Sequence, residues 1–235
     1  MNMNGNRLAI IPARYGSKRI PQKNFRDFCG KPMLSYILDT AIASQLFDVV
    51  HVSTDSKDFA DQARKLGAEV SFLRPSSLAQ DDTPIVPVLK FVLNEFVARN
   101  QSFASVAVLN ACAPLLSVSD LRGAASLFDE ENGKYDVLGV TEFPCPIEWA
   151  FNCESNNRLK PQNPGMFAKR SQDILPAYYD AGQFCFMNLP RILSSEGAGV
   201  DTEFKGYKLD RTRAIDIDTL EDWKYAELIY CAMAK

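Results

Sequence analysis

The chain predicts an α/β fold, a mostly parallel, Rossmann-like sheet with helices on both faces. Short apolar or β-branched runs alternate with stretches of helical periodicity from Leu8 to Phe143, the pattern of successive strand–helix units. The runs LAII (8–11) and SVAVLNACAP (105–114) read as buried strands by their apolar character, as strands covered on both faces do. DVVHVSTD (48–55) ends in polar residues, at the strand edge where open α/β sheets bind ligands.

At 235 residues the chain reads as one domain, 1–235, with one excursion at 144–180. Its 46% hydrophobic and 23% charged residues are ordinary for a soluble globular protein. A net charge of −3 argues against a nucleic-acid partner but leaves room for a local cationic pocket. MNMNGNR lacks the apolar core of a signal peptide. No apolar run approaches the ~20 residues of a membrane span, so no membrane partner is expected. Six cysteines without a C-x-x-C pair suit a reduced, cytoplasmic protein, with Cys112 and Cys185 packed rather than reactive.

LAII is too short for a helix, and Pro12 ends it because proline cannot donate to a central ladder. The following loop carries Arg14, Lys18, Arg19 and Lys23 around Gly16 and Ser17. Small residues and fixed cations make a concave anion site, a natural seat for a triphosphate. A solvated basic loop is the bland reading of the same charges. After Pro32, MLSYILDTAIAS is helical, and DVVHVSTD is the second strand. Asp55 either stands at the ligand edge or, the favoured reading, N-caps the helix SKDFADQARKL. His51, the only histidine, lies inside a strand and reads as an ordinary strand residue, which excludes a His dyad or His-rich metal site.

Gly67 stops that helix, and EVSFLRP (69–75) reads as a third strand. The loop SSLAQDDT leads to a helix over 84–99, and SVAVLNACAP (105–114) is a buried strand. Ser119 and Asp120 begin the next helix, and YDVLGVTEF (135–143) is a strand. Residues 144–176 are rich in Pro, Asn and charge and read as an arm leaving the main sheet. AGQFCFM (181–187) returns as a strand, and RAIDIDTLEDW opens a last strand and a terminal amphipathic helix. Along that last strand Asp216 and Asp218 point to one face, where a hard cation such as Mg²⁺ would relieve their repulsion. The alternative leaves Asp216 in solvent and makes Asp218 the N-cap of the final helix.

PARYGSKRIPQKN is neither a Walker A loop nor a dinucleotide fingerprint. It resembles the signature loop of the cytidylyltransferases that activate acidic sugars, making CMP-linked nonulosonic acids and, more distantly, CMP-Kdo. Together with RSQDILPAYYDAGQF (170–184) it looks most like the pseudaminic acid branch, and the resemblance spans almost the whole chain. It implies a nucleotidyltransferase type A-like fold with a dimerisation arm, a homodimer, and Mg²⁺ as cofactor. The implied reaction joins CMP from CTP to an acidic nine-carbon sugar and releases pyrophosphate.

By the same resemblance Arg14, Lys23 and Asp216 are catalytic, and Asp216 and Asp218 hold the metal. Ala13, Arg14, Gly16, Ser17, Lys18, Lys23, Asn24, Arg74 and Thr83 follow the nucleotide. Asn110, Arg170, Gln172, Asp180, Gly182, Gln183 and Phe184 surround the sugar. Arg170 suits the sugar carboxylate, since its fork matches a carboxylate bidentately, and it would act across the dimer. Arg19 is read as a partner of surface acids.

The chain departs from the family in places. Asn110 and ACAP (111–114) replace a glutamine and the Pro-Thr-Ser-Pro of the sialic branch. Cys185 and Phe186 replace the pseudaminic aromatic pair, and Tyr15 resembles the Kdo branch. Alternatives are a CMP-sialic acid or CMP-Kdo synthetase, and a non-catalytic nucleotide-binding protein on the same fold.

Overall fold

The computed structural model describes residues 6–199 and 201–233; residues 1–5, on which most of the signal-peptide reading rests, lie outside them. The chain opens with β1 (Arg7–Pro12), β2 (Asp27–Phe28), β3 (Lys31–Pro32), α1 (Met33–Ser44), β4 (Val49–Ser53) and α2 (Lys57–Lys65). It continues with α3 (Ile85–Val97), β5 (Ser105–Leu109), α4 (Val118–Glu130), β6 (Asp136–Glu142), β7 (Phe151–Cys153) and β8 (Leu159–Pro161). It closes with β9 (Tyr178–Asn188), α5 (Leu189–Ser194), β10 (Phe204–Lys208) and α6 (Leu220–Met233).

Six strands form one sheet in the order β10-β6-β9-β5-β1-β4. β1 pairs in parallel with β4 and β5, and β6 with β10. β9 alone runs antiparallel, to both β5 and β6. It can do so because it returns from the arm, without the crossover helix that a parallel neighbour requires. The sheet is therefore mixed.

β1 is covered on both sides, and its pleat sorts its residues. Leu8 and Ile10 join Leu89, Val92 and Phe96 of α3 and Ile192 of α5. Ala9 and Ile11 join Ile37 and Leu38 of α1 and Leu121 and Phe128 of α4. A third apolar cluster lies beyond the sheet edge. Ile20 from the basic loop, Phe28, Tyr36, Cys112, Ile215, Ile217 and Trp223 are all buried in it.

Several expected elements differ. EVSFLRP is not a strand; only Glu69 bridges His51, while Phe72 turns to stack on the His51 ring. IDIDT forms no ladder either. Its side chains alternate because Ile215 and Ile217 sink into the third cluster, not because the backbone pairs. The strand nearby is β10, on the sheet edge, where Phe204, Gly206 and Lys208 stay exposed. A short, charged edge strand carries little apolar signal. Ser56, not Asp55, caps α2, accepting from Phe59 N at 3.3 Å. The helix expected from Ser119 starts at Val118, with Ser117 and Asp120 forming a capping box. Thr219 and Asp222 cap one another at the start of α6, so Asp218 is not the cap.

The arm carries the β7–β8 hairpin and 3₁₀ turns at Ile147–Trp149, Met166–Ala168 and Ser171–Asp173. It leaves Leu159, Phe167 and Leu175 exposed. Among the described residues no helix is long and apolar enough to cross a membrane. The cysteines are all free thiols; Cys112 is buried, and burial pushes its thiol up to about 12. Burial raises Cys185 in the same way.

His51 is fully buried, with its ring 4.6 Å from that of Phe72. Burial, the largest cause, lowers its pKa to about 4 and Arg99 lowers it further, and neither ring nitrogen has a hydrogen-bond partner among the described residues. In the unfolded chain a histidine titrates near ~6.5. The unfolded state therefore takes up the proton first as pH falls, and stability drains away between the two values. The expected loss is about 3 kcal/mol between pH 7 and pH 4. His51→Phe should remove this component, read as a shallower pH dependence of urea midpoints than in the wild type.

Candidate active site

The loop after β1 is held at its ends and in its middle. Asn24 Nδ2 donates to Arg14 O at 3.2 Å, which closes the loop onto its own start. Tyr15 N donates to Asp55 Oδ1 at 2.8 Å, so Asp55 anchors the loop instead of capping a helix. Ile20 is fully buried. Between these anchors the backbone arches over a cavity of about 460 Å³, walled by Arg14, Gly16, Ser17, Lys18, Arg19, Lys23, Asn24 and Asn110.

Asp218, like Asp81, is an acidic wall of that cavity. It takes Arg19 at 2.9 Å and Lys23 at 3.5 Å, so Arg19 engages the site and not a surface acid elsewhere. Lys23 Nζ also donates to Ile217 O at 2.6 Å. Asp216 projects beside Asp218 and lies against Gly182, where an added Cβ would meet its Cγ at 3.0 Å. Asp216 is open to water but sits in a concavity, and the surrounding protein raises its pKa. Asp218 raises it further, Lys23 lowers it, and Asp180 raises it. Two carboxylates that repel across such a site fit a divalent cation, since Mg²⁺ binds through one or two carboxylates and fills its other positions with water and phosphate oxygens. Among the described residues no set of three or more His, Cys, Asp or Glu gathers as a metal cluster.

Two smaller cavities flank this one. The first, about 190 Å³, is walled by Arg14, Arg74, Gln80, Asp81 and Thr83. Arg74 is buried there, and no acceptor among the described residues reaches its Nε or Nη2. Burial lowers its pKa, while Asp55 opposes the shift. A buried donor without a partner is costly, so this cavity suits a ligand bearing acceptors. The second, about 280 Å³, shares Pro12 and Asn110 with the main cavity and is walled by Asp180, Gly182, Gln183 and Phe184. Asn110 Nδ2 donates to Gly182 O at 2.6 Å, and Gln183 Nε2 to Ile215 O at 2.8 Å. Burial raises the pKa of Asp180, opposed by the Gly182 N–H it accepts.

The structure thus brings together most of the residues expected from the sequence. Ala13 is an exception: it is buried in the core and its N–H is taken by Ser53 O. Arg170 and Gln172 lie on the arm in an exposed 3₁₀ turn, where Arg170 forks onto Asp173 and walls none of these cavities. The sequence reading missed Asp81, which pairs with Arg14 and Lys18, and Cys112, whose Sγ lies 3.4 Å from Asn24 Oδ1. Asp81 offered one signal, an acid in a polar loop just before a helix.

A cationic cradle at the C-terminal edge of an α/β sheet, with two carboxylates facing it, defines a protein built to handle a nucleotide or another polyphosphate. A family model described as Cytidylyltransferase matches residues 8–143, and the chain belongs to the cytidylyltransferase family. It is 37% identical over 227 residues to a pseudaminic acid cytidylyltransferase of Campylobacter jejuni subsp. jejuni serotype O:2, covering 95% of each chain. It is 30% identical to a CMP-N,N'-diacetyllegionaminic acid synthase of Legionella pneumophila, covering 94% of each. In fold it resembles a CMP:2-keto-3-deoxy-manno-octonic acid synthetase solved with CTP, with TM-score 0.73, 14% identity, and coverage of 97% of this chain and 99% of that one. A 4-diphosphocytidyl-2C-methyl-D-erythritol synthase from Anaerococcus prevotii shares the fold at TM-score 0.62 and 14% identity, covering 96% of each.

Two expectations follow from the geometry. Ile217→Ala should cost about 2–4 kcal/mol of stability by opening a cavity in the third cluster. It should also lower activity in protein still folded, because Asp216 and Asp218 lose their anchor. Gly182 has φ +64°, and a side chain there would press on Asp216. Gly182→Ala should cost about 1–2 kcal/mol from left-handed backbone strain. Its activity should fall further than that strain explains, with near-wild-type circular dichroism.

Proposed function

We propose that this chain is a Mg²⁺-dependent cytidylyltransferase that joins CMP from CTP to an acidic nine-carbon sugar of the pseudaminic type, releasing pyrophosphate. One observation carries the reading: Arg14, Lys18 and Lys23 from the start of the chain and Asp218 from its end wall a single cavity, with Asp216 beside it. That cavity adjoins a second one of about 280 Å³, with which it shares Pro12 and Asn110. The likeness to the Campylobacter jejuni relative supports the pseudaminic choice of sugar.

In this reading the phosphates lie against Arg14, Lys18 and Lys23, which neutralise the charge that builds on the departing pyrophosphate. Ser17 and the backbone at Gly16 line their path. Arg74 and Thr83 face the nucleoside, and the Arg74 donors gain acceptors there. The sugar occupies the cavity of Asn110, Asp180, Gly182, Gln183 and Phe184. Because Asn110 and Pro12 wall both cavities, the attacking hydroxyl is held next to the α-phosphate, which is the positioning that phosphoryl-type transfer needs. Mg²⁺ on Asp216 and Asp218 would supply charge neutralisation at the phosphate oxygens. Arg170 and Gln172, exposed on the arm, wall neither cavity of their own chain. They serve the partner's sugar in a homodimer, and the exposed Leu159, Phe167 and Leu175 suit burial against a second copy.

The test is pyrophosphate release from CTP and Mg²⁺ with a panel of pseudaminic, legionaminic and neuraminic acids and Kdo. Release should be fastest with pseudaminic acid, and silence with every sugar removes the reading. Asp216→Asn should lower kcat by about 100-fold or more while the protein melts normally.

A further inference from the structure

One anion already sits in the phosphate seat. Asp81 gives one carboxylate oxygen to Arg14 Nη1 and the other to Lys18 Nζ. It lies in the loop between the 3₁₀ turn Ser76–Leu78 and α3. With Arg14 and Pro12 it walls both the 460 Å³ cavity and the 190 Å³ cavity that holds Arg74. The Arg14–Asp81 pair is therefore the partition between the two. A nucleoside triphosphate with its base side at Arg74 and its phosphates at Lys18 and Lys23 has to cross that partition.

The partition is weakly built. Its side chains are 33% (Arg14), 36% (Asp81) and 81% (Lys18) exposed, and exposed ion pairs contribute little to stability. A polyphosphate brings several charges and many acceptor oxygens against one carboxylate. Hydrogen bonds from Lys18 and Arg14 hold the Asp81 carboxyl below the usual carboxylate range, so it is ionised whenever the seat is free. The neighbouring Asp82 makes no ion pair among the described residues and walls neither cavity.

We propose that Asp81 is a built-in competitor for the phosphate seat, a carboxylate that yields Arg14 and Lys18 to the substrate's phosphates and reclaims them as pyrophosphate leaves. This rests on the cytidylyltransferase reading above and extends it to product release. Binding becomes an exchange of anions, so pyrophosphate is held less tightly than Arg14 and Lys18 would hold it without Asp81. A purely structural role, pinning the loop around Thr83, predicts the opposite sign, because loosening the loop weakens nucleotide binding.

The test titrates inorganic pyrophosphate, and separately CTP, into full-length wild type, Asp81→Asn and Asp81→Ala in the presence of Mg²⁺, by calorimetry. Pyrophosphate inhibition of turnover and thermal melting are measured on the same samples. Both variants should melt normally and bind pyrophosphate about 3- to 10-fold more tightly, with correspondingly stronger product inhibition. Unchanged or weaker pyrophosphate binding in folded variants, beside a wild type that binds both ligands, overturns this inference alone. A wild type that binds neither CTP nor pyrophosphate overturns the functional reading and this inference with it.

Discussion

Burial of Ile20, Ile215 and Ile217 in one apolar cluster is the constraint on which the site depends. Lys23 and Ile217 are 194 positions apart, yet Lys23 Nζ reaches the Ile217 carbonyl at 2.6 Å. The isoleucines make that possible. Each fully buried isoleucine contributes roughly 1.5–3 kcal/mol, and all three are drawn into the cluster of Phe28, Tyr36 and Trp223. An edge-to-face contact of Phe28 and Trp223, with centroids 5.4 Å apart, fixes α6 against the β2–β3 turn. With Ile215 and Ile217 turned inward, Asp216 and Asp218 can only turn outward, toward the cations. Apolar burial thereby holds a charge arrangement that electrostatics alone would not hold in water.

The ion pairs of the molecule divide by location. Arg7 opens β1 and pairs with Asp129, and Asp136 opens β6 and pairs with Arg191 at 2.9 Å. Asp136 is fully buried and the Arg7 and Arg191 side chains nearly so, at the edge of the sheet where the parallel strands begin. Removing Arg191 would leave Asp136 buried without its partner, so that pair belongs to the framework, while Asp129 remains half exposed. At the opposite edge, Arg14, Lys18 and Arg19 meet Asp81 and Asp218 in exposed pairs. These are cheap to exchange for an anionic ligand. The same chemistry thus stands buried at one end of the strands and in exposed, weakly held pairs at the other.

What could be read from the sequence follows from what each signal depends on. LAII announced a buried strand because a run that short does not make a helix, the strand read over SVAVLNACAP (105–114) ends already at Leu109, and MLSYILDTAIAS matches α1 residue for residue. The basic loop and the IDID acids were visible because residue type and spacing carry them. The missing backbone ladder at 214–218 was not visible, since burial of Ile215 and Ile217 imposes the same alternation as a strand. Charge partners were also hidden. Whether Asp55 caps a helix or holds Tyr15, and whether Arg19 meets a surface acid or Asp218, is decided by tertiary approach and leaves no local mark. Asp81 looked like any acid in a polar loop, because its partners lie in a different segment of the chain.

The reversal of β9 links the arm to the site. β6 runs parallel to β1 and β5, so its last residue, Glu142, lies at the edge where the cavities are. Because β9 is antiparallel, its first residue, Tyr178, pairs with Glu142 at that same edge. The intervening arm must leave and rejoin the sheet on the rim of the cavities. A register shift follows, with Leu138 opposite Cys185 but Val140 opposite Asp180, and Gly182 takes positive φ within it. Such a bulge re-aims side chains at a sheet edge. It leaves Asp180 and Gln183 beside Asn110 at the end of β5, where a regular parallel strand would have placed its first residues at the far edge. The two ends of the arm, Glu142 and Tyr178, therefore stand at the edge of the sheet that carries the second cavity, and the strand that closes the arm is the one that supplies Asp180, Gly182, Gln183 and Phe184 to its wall.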